Sequence, residues 1–223
     1  IVRGSAIALS LAFAILLLQE PIKVFLFNLL ETPARVWPIA EGYFDIRIWA
    51  MPATLLFLVL NGFLIGTART KEALWLQLIL NIINGVLNIT FVVGFGMGVE
   101  GVALGSLIAE WVTLILGGFI VLKRLSPREL FTALVSKITW KWDRMRRMLN
   151  VNSFILLRTI LLLASFMMVT RSAAELGEVP LAITHVMLQF LALISLGLDG
   201  LAYAGEALSG AALGAGSKYA LKK

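Results

Sequence analysis

The chain has 223 residues, of which 60% are hydrophobic and 14% charged, and its mean hydropathy is +0.93. Soluble domains carry about a quarter charged residues, so the composition implies an integral membrane protein. The absence of cysteine excludes disulfides, thiolate metal sites and a cysteine nucleophile, and the single histidine, His185, excludes a multi-histidine metal centre within the chain.

Six apolar segments, each near the ~20 residues a span requires, are expected at 4–30, 46–66, 73–95, 100–122, 150–170 and 180–212. The first is interrupted by Gln19, Glu20 and Pro21 and is expected to end there, with 22–30 lying along the membrane surface. The last is overlong and is expected to continue past the membrane as a helix. Neither has the charged start and small-residue cleavage site of a signal peptide.

Placing the chain start in the cytoplasm gathers 14 of the 19 Lys and Arg on the inner side, from Arg3, Arg69 and Lys71 through the connection 123–149 to Lys218, Lys222 and Lys223. The opposite loops are acidic, with Glu20, Glu31, Glu41, Asp45, Glu100, Glu175 and Glu178 against Lys23, Arg35 and Arg171. The net charge of +6 therefore reflects topology, and a nucleic-acid partner is not expected, because no soluble domain presents the basic residues. Within 123–149, Ser126, Pro127 and Glu129 read as a helix start. Leu130, Leu134, Ile138, Trp142 and Met145 follow at helical spacing opposite a basic face, as in a helix anchored on an anionic leaflet.

Polar residues inside the spans fall on faces. At 100° per residue, Gln77, Asn81, Asn84 and Asn88 lie within about 60° of arc, forming one stripe on the third span. Ser106, Glu110, Thr113 and Gly117 share a face of the fourth, Arg47, Thr54 and Asn61 step along the second, and Thr184, Ser195, Asp199 and Glu206 mark the sixth. The fifth carries one charge, Arg158, about 12 Å in from its inner end. Interhelical packing at about 0.6 kcal/mol a pair accounts for Asn81, Thr54, Thr113 or Thr184 taken singly. Ionisable groups differ, since a charge at the bilayer centre costs at least about 2.5 kcal/mol. Glu110, Arg158 and Asp199 are therefore expected to face a polar cavity or one another, with an Arg158–Asp199 ion pair as the structural alternative, and His185 is expected to be a packing residue.

Several patterns fail on context. The tripeptide Asn88-Ile89-Thr90 lies inside a span and cannot be glycosylated, and the glycine-rich 94–101 is a hairpin between spans, not a phosphate loop. No Ser/His/Asp set, catalytic carboxylate pair or metal-spaced cluster is present, so the chain is not expected to be an enzyme.

The run YFDIRIWAMPATLLFLVLNGFLIGTART at 43–70, followed by NIINGVLNITFVVGFGMGVEGVALGSLIAEW at 81–111, resembles the DinF-like branch of the multidrug and toxic compound extrusion (MATE) family. LRTILLLASF at 157–166 and LDGLAYAGEALSGAALGAG at 198–216 are similar to the same branch. The resemblance implies an all-α integral membrane fold, six transmembrane helices of a twelve-helix, two-lobe bundle. The six spans would be the third to eighth: 1–122 the last four helices of the N-terminal lobe, 123–149 the cytoplasmic amphipathic linker, and 150–223 the first two helices of the C-terminal lobe. A fragment or truncated product is expected, with two spans before Ile1 and four after Lys223.

The resemblance also implies a site. In the family an Asn, an acidic residue one turn further along the same span and a hydroxyl on the next span form a proton or sodium site with a first-span aspartate. Asn84 matches the Asn, Asn88 stands at the position often acidic, and Ser106 matches the hydroxyl. An amide can offer its carbonyl to Na⁺ or hold a neighbouring carboxyl, but it carries no exchangeable charge. The expected cavity set is Asn84, Asn88 and Ser106, then Glu110, Arg158 and Asp199, with no resident cofactor or metal beyond a coupling H⁺ or Na⁺. The implied protein is a monomeric inner (plasma) membrane antiporter, exporting amphipathic, cationic drugs or metabolites by alternating access. Alternatives are a lipid-linked precursor flippase, which would be expected to show a more cationic cavity, and an inert truncated membrane protein, in which the stripes only pack.

Overall fold

A computed structural model describes residues 1–29, 34–123, 132, 135–136 and 141–214, and all regular elements among them are helical. Five helices are long and apolar enough to cross a membrane, or six when one bent pair counts as a single crossing, in keeping with the hydropathy. Helical spans are what lipid demands, because only a helix satisfies every backbone group within one segment. The chain divides into two compact units, Ile1–Thr139 and Trp140–Lys223.

In the first unit α1 (Val2–Leu17) is followed after Leu18 by α2 (Gln19–Leu29), turned 73° away from it. The turn falls at the Gln-Glu-Pro interruption, where the first apolar segment is expected to end. Next come α3 (Trp37–Arg47), a 3₁₀ turn (Ile48–Ala50) and α4 (Met51–Gly66), which together make a 30-residue helical span. This span starts nine residues before the expected position 46, because Pro38, in the first turn, is preset for helix and needs no donor there. The 3₁₀ turn precedes Pro52, whose missing N–H cannot bond the carbonyl four residues back.

The joint between α4 and α5 (Thr70–Ile89) is a Schellman turn. Arg69 N–H bonds Leu64 C=O at 2.8 Å and Ala68 N–H bonds Ile65 C=O at 2.9 Å. Ala68 takes the left-handed conformation (φ 58°) that glycine usually occupies in this motif. After α5 a π turn (Thr90–Gly94) leads to a glycine hairpin and α6 (Gly98–Leu122). Phe57, Leu60 and Leu64 of α4, Ala73 and Leu76 of α5 and Val121 of α6 form a buried cluster.

Helix α6 carries the interface. Gly101, Gly105, Ala109, Thr113, Gly117 and Val121 are all buried and recur every fourth residue, a stripe that lets α4 and α5 approach closely. The Thr113 hydroxyl is satisfied within its own helix, donating to Ala109 C=O at 2.7 Å. The opposite faces are apolar and exposed, as at Ile115, Leu116, Phe119 and Leu122, which suits contact with lipid.

Helix α2 is clasped to α3. Phe27 sits edge-on to Trp37 at 4.9 Å and to Phe44 at 6.3 Å between ring centroids. Lys23, 5% exposed, reaches Asp45 at 3.0 Å, Glu41 at 3.0 Å and Glu20 at 3.1 Å. Hydrogen bonds to Asp45 and Glu41 raise its ammonium above the ordinary lysine range, against the opposing effect of burial, and Glu20 adds to the rise. A raised folded value means that the stabilisation is complete below the ordinary lysine value and is lost only as pH climbs through the raised one. Lys23→Met should leave three carboxylates facing one another, and amide exchange across α2 should quicken at least ~10-fold. Unchanged exchange would mean that Phe27 alone holds the clasp.

The second unit is a helical hairpin, α7 (Trp142–Glu175) and α8 (Glu178–Gly214), turned at Gly177 with φ 116°. Trp142–Leu149, expected to belong to the interfacial helix of the connection, are instead the first two turns of α7. The rest of that expected helix, from Ser126, lies outside the described residues apart from Thr132, Val135 and Ser136.

Candidate functional site

Two polar constellations meet on α6. The first is an amide row. Asn88 Nδ2 donates to Asn84 Oδ1 at 3.0 Å, and Asn84 Nδ2 donates to Ser106 Oγ at 2.7 Å, crossing from α5 to α6. The row ends on Asn88 Oδ1, which is buried and accepts no hydrogen bond among the described residues. That oxygen lies over Gly105, where a Cβ would stand 2.4 Å from it. The stripe of small residues thus brings an unsatisfied carbonyl oxygen into the α5–α6 interface, although such an oxygen is costly to bury. Asn61 Oδ1 on α4 is a second buried oxygen that accepts no hydrogen bond among the described residues. Gln77 and Asn81, the other members of the expected stripe, make no hydrogen bond among the described residues, and Asn81 is exposed.

The second constellation surrounds Glu110, one turn beyond Ser106 and midway along α6. Arg47, the last residue of α3, donates Nη1–H to Glu110 Oε1 at 2.8 Å. The Thr54 hydroxyl of α4 lies within hydrogen-bonding reach of Glu110 Oε2 and also of Ala50 C=O at 2.9 Å. The side chains are 24% exposed for Arg47 and 15% for Glu110, so the pair is largely withdrawn from solvent. Trp111 Nε1–H donates to Trp49 C=O at 3.1 Å, fixing the 3₁₀ turn against α6 beside the pair. The sequence faces place Arg47 and Thr54 together and Glu110 on another helix, but they do not reveal that these faces meet.

Arg158 and Asp199 behave differently. Both are exposed on α7 and α8, and neither forms an ion pair or hydrogen bond among the described residues, so the alternative of an Arg158–Asp199 pair is not realised. His185 lines a shallow groove with Phe166, Met167, Thr170 and Arg171, and Arg171 is paired with Glu175 at 3.2 Å. The side chain of Glu206 lies outside the described residues. Among the described residues no group of three or more His, Asp or Glu side chains is placed to hold a metal ion.

Residues 1–90 match the family model MatE. The chain is 35% identical over 215 residues to DNA damage-inducible protein F of Escherichia coli (strain K12), covering 96% of this chain and 46% of that protein. It is 31% identical over 172 residues to Protein DETOXIFICATION 43 of Arabidopsis thaliana, covering 76% of this chain and 31% of the relative. Probable multidrug resistance protein NorM of Rhizobium meliloti (strain 1021) is 25% identical over 213 residues, covering 94% and 44%. The chain spans less than half the length of these curated relatives. No solved structure matches. Family model and relatives agree with the residue blocks: the chain is similar to proteins of the multidrug and toxic compound extrusion (MATE) family, with a DinF-like protein among its relatives.

Proposed function

We propose that the chain works in a secondary antiporter that exports amphipathic, cationic compounds in exchange for H⁺ or Na⁺ by alternating access. The observation that carries this reading is the row Asn88–Asn84–Ser106, which ends on a buried carbonyl oxygen without a hydrogen bond among the described residues. An amide oxygen of this kind can ligate Na⁺ or accept a hydrogen bond from a protonated carboxyl group. The printed names of two relatives, a multidrug resistance protein and a DETOXIFICATION protein, agree with export of foreign compounds. In this reading Glu110 stands beside the row on α6, Arg158 and Asp199 of the second unit are separate candidates of lower rank, and no resident cofactor takes part. The protein is a monomer of the inner (plasma) membrane in this reading, and the distribution of basic residues favours a cytoplasmic side for 123–149. Cation and drug compete for the site, each favouring a different state of the transporter through its differential affinity.

Gradient-driven efflux of a fluorescent cation from vesicles tests the reading, with wild type compared against Asn84→Ala. Asn84 links Asn88 to Ser106, so its loss should lower driven efflux at least ~10-fold while the protein stays folded, ΔΔG being about 1–3 kcal/mol for the stranded partners. Unchanged efflux would assign the asparagines to helix packing.

A further inference from the structure

Arg47 has more donors than the fold uses. Its guanidinium carries N–H groups in a planar fork, and one of them, on Nη1, is taken by Glu110 Oε1 at 2.8 Å. Arg47 makes no other hydrogen bond or ion pair among the described residues. The strongest arrangement of arginine and carboxylate is two parallel bonds, but Glu110 turns Oε2 to the Thr54 hydroxyl and meets Arg47 with one prong only. The edge of the fork formed by Nε and Nη2 is left unengaged, on a side chain that is 24% exposed. Arg47 lies well inside the 30-residue span Trp37–Gly66, about 15 Å along it. A guanidinium edge turned to hydrocarbon at that depth is costly, so this one opens on a polar space.

The charges nearby do not fill that edge. Of the elements packed on α6, α4 and both short turns carry no charged residue, and the other carboxylates of α3, Glu41 and Asp45, are engaged by Lys23. Glu100, on α6, lies against Gly42. Arg47 and Glu110 thus present one positive and one negative charge side by side, with no net charge between them. A lone anion drawn to the fork would be repelled by Glu110, and a lone cation drawn to Glu110 would be repelled by Arg47. A ligand that carries both charges close together meets neither penalty, because each of its groups faces the opposite sign.

We propose that Arg47 is a specificity-determining residue that receives the carboxylate of a zwitterionic amphiphile on Nε and Nη2, while Glu110 beside it holds the cationic group of the same molecule. Arginine suits the task because its fork matches a carboxylate in two bonds at once, which a point charge does not. Thr54 is the positioning residue: by engaging Oε2 it keeps Glu110 from closing over the second edge of the fork. The proposal deepens the antiporter reading and rests on it for transport, since it narrows the cationic substrates to those that also bear an acid group.

Two dyes that share a chromophore separate the classes: a xanthylium dye as its free acid, a zwitterion without net charge, and the methyl ester of the same dye, a cation. Fluorescence anisotropy with the intact protein in lipid nanodiscs reads binding at neutral pH without a gradient. Wild type should bind the acid at least ~10-fold more tightly than the ester. Arg47→Gln should abolish that preference, because Glu110 then stands uncompensated and favours the ester. Arg47→Met/Glu110→Met, which keeps no charge at the site, should bind the two dyes within about twofold of each other, and it decides the matter where the single variant does not fold. An ion pair that serves structure alone would weaken both dyes together and leave their ratio unmoved. A wild-type protein that does not prefer the acid overturns the proposal, as does a ratio that survives in the variants. If the preference depends on Arg47 but neither a proton nor a sodium gradient drives efflux of either dye from wild-type vesicles, the antiporter reading fails and the carboxylate site stands.

Discussion

Arg47→Met should destabilise the protein by about 3 kcal/mol, the low end of the range for stranding one member of a buried ion pair, because the two side chains keep 24% and 15% of their surface exposed. The double variant Arg47→Met/Glu110→Met should recover most of the loss, because replacing a whole buried pair with apolar groups of similar size is often neutral. Unfolding in detergent measures all three proteins. A single-variant cost below about 1 kcal/mol would make the contact an ordinary solvated pair.

Gly105→Val should be comparably severe for a steric reason. A Cβ there stands 2.4 Å from Asn88 Oδ1, 3.2 Å from Asn88 N and 3.3 Å from Leu87 Cβ, so backbone as well as side chain obstructs it. Helices α5 and α6 would have to separate, and the 2.7 Å bond from Asn84 to Ser106 would break with them. Overpacking of this kind costs about 3 kcal/mol at the upper end of its usual range. Gly118→Val, with nothing within 4 Å of its Cβ position, should cost less than about 1 kcal/mol in the same melting experiment. Equal effects at the two glycines would mean that helix propensity, not the interface, decides.

The spans were legible because hydropathy acts over whole segments, and the face shared by Asn84 and Asn88 was legible because helical periodicity is local. Asn84 and Ser106 are grouped in the sequence only by the resemblance to the family, and in the structure Asn84 donates to Ser106 at 2.7 Å. Arg47 and Glu110 were each visible as polar residues of a helix, yet they are 63 positions apart. Periodicity tells which way a residue points within its own helix but not which neighbour faces it. The same limit made Arg158 and Asp199 attractive partners on successive spans, although both are exposed and unpaired among the described residues. Lys23 read as one basic residue in an acidic loop; its burial depends on the 73° bend after α1, which composition does not encode. The π turn at Thr90–Gly94 has no recognisable local pattern and escaped the reading entirely.

The stripe on α6 has a mechanical corollary. Gly101 fits against Phe91 and Met97, Gly105 against Asn88, and Gly117 against Leu60 and Leu76, so the helix is indexed like a rack at three heights along its length. Sliding by one residue would drive Ser106 or Gly118 out of phase with every socket at once, and interiors packed this tightly do not deform gradually. Helices α5 and α6 must then travel as a single strut, and any displacement within the first unit has to be taken up where the indexing ends, at α3 and its short turn.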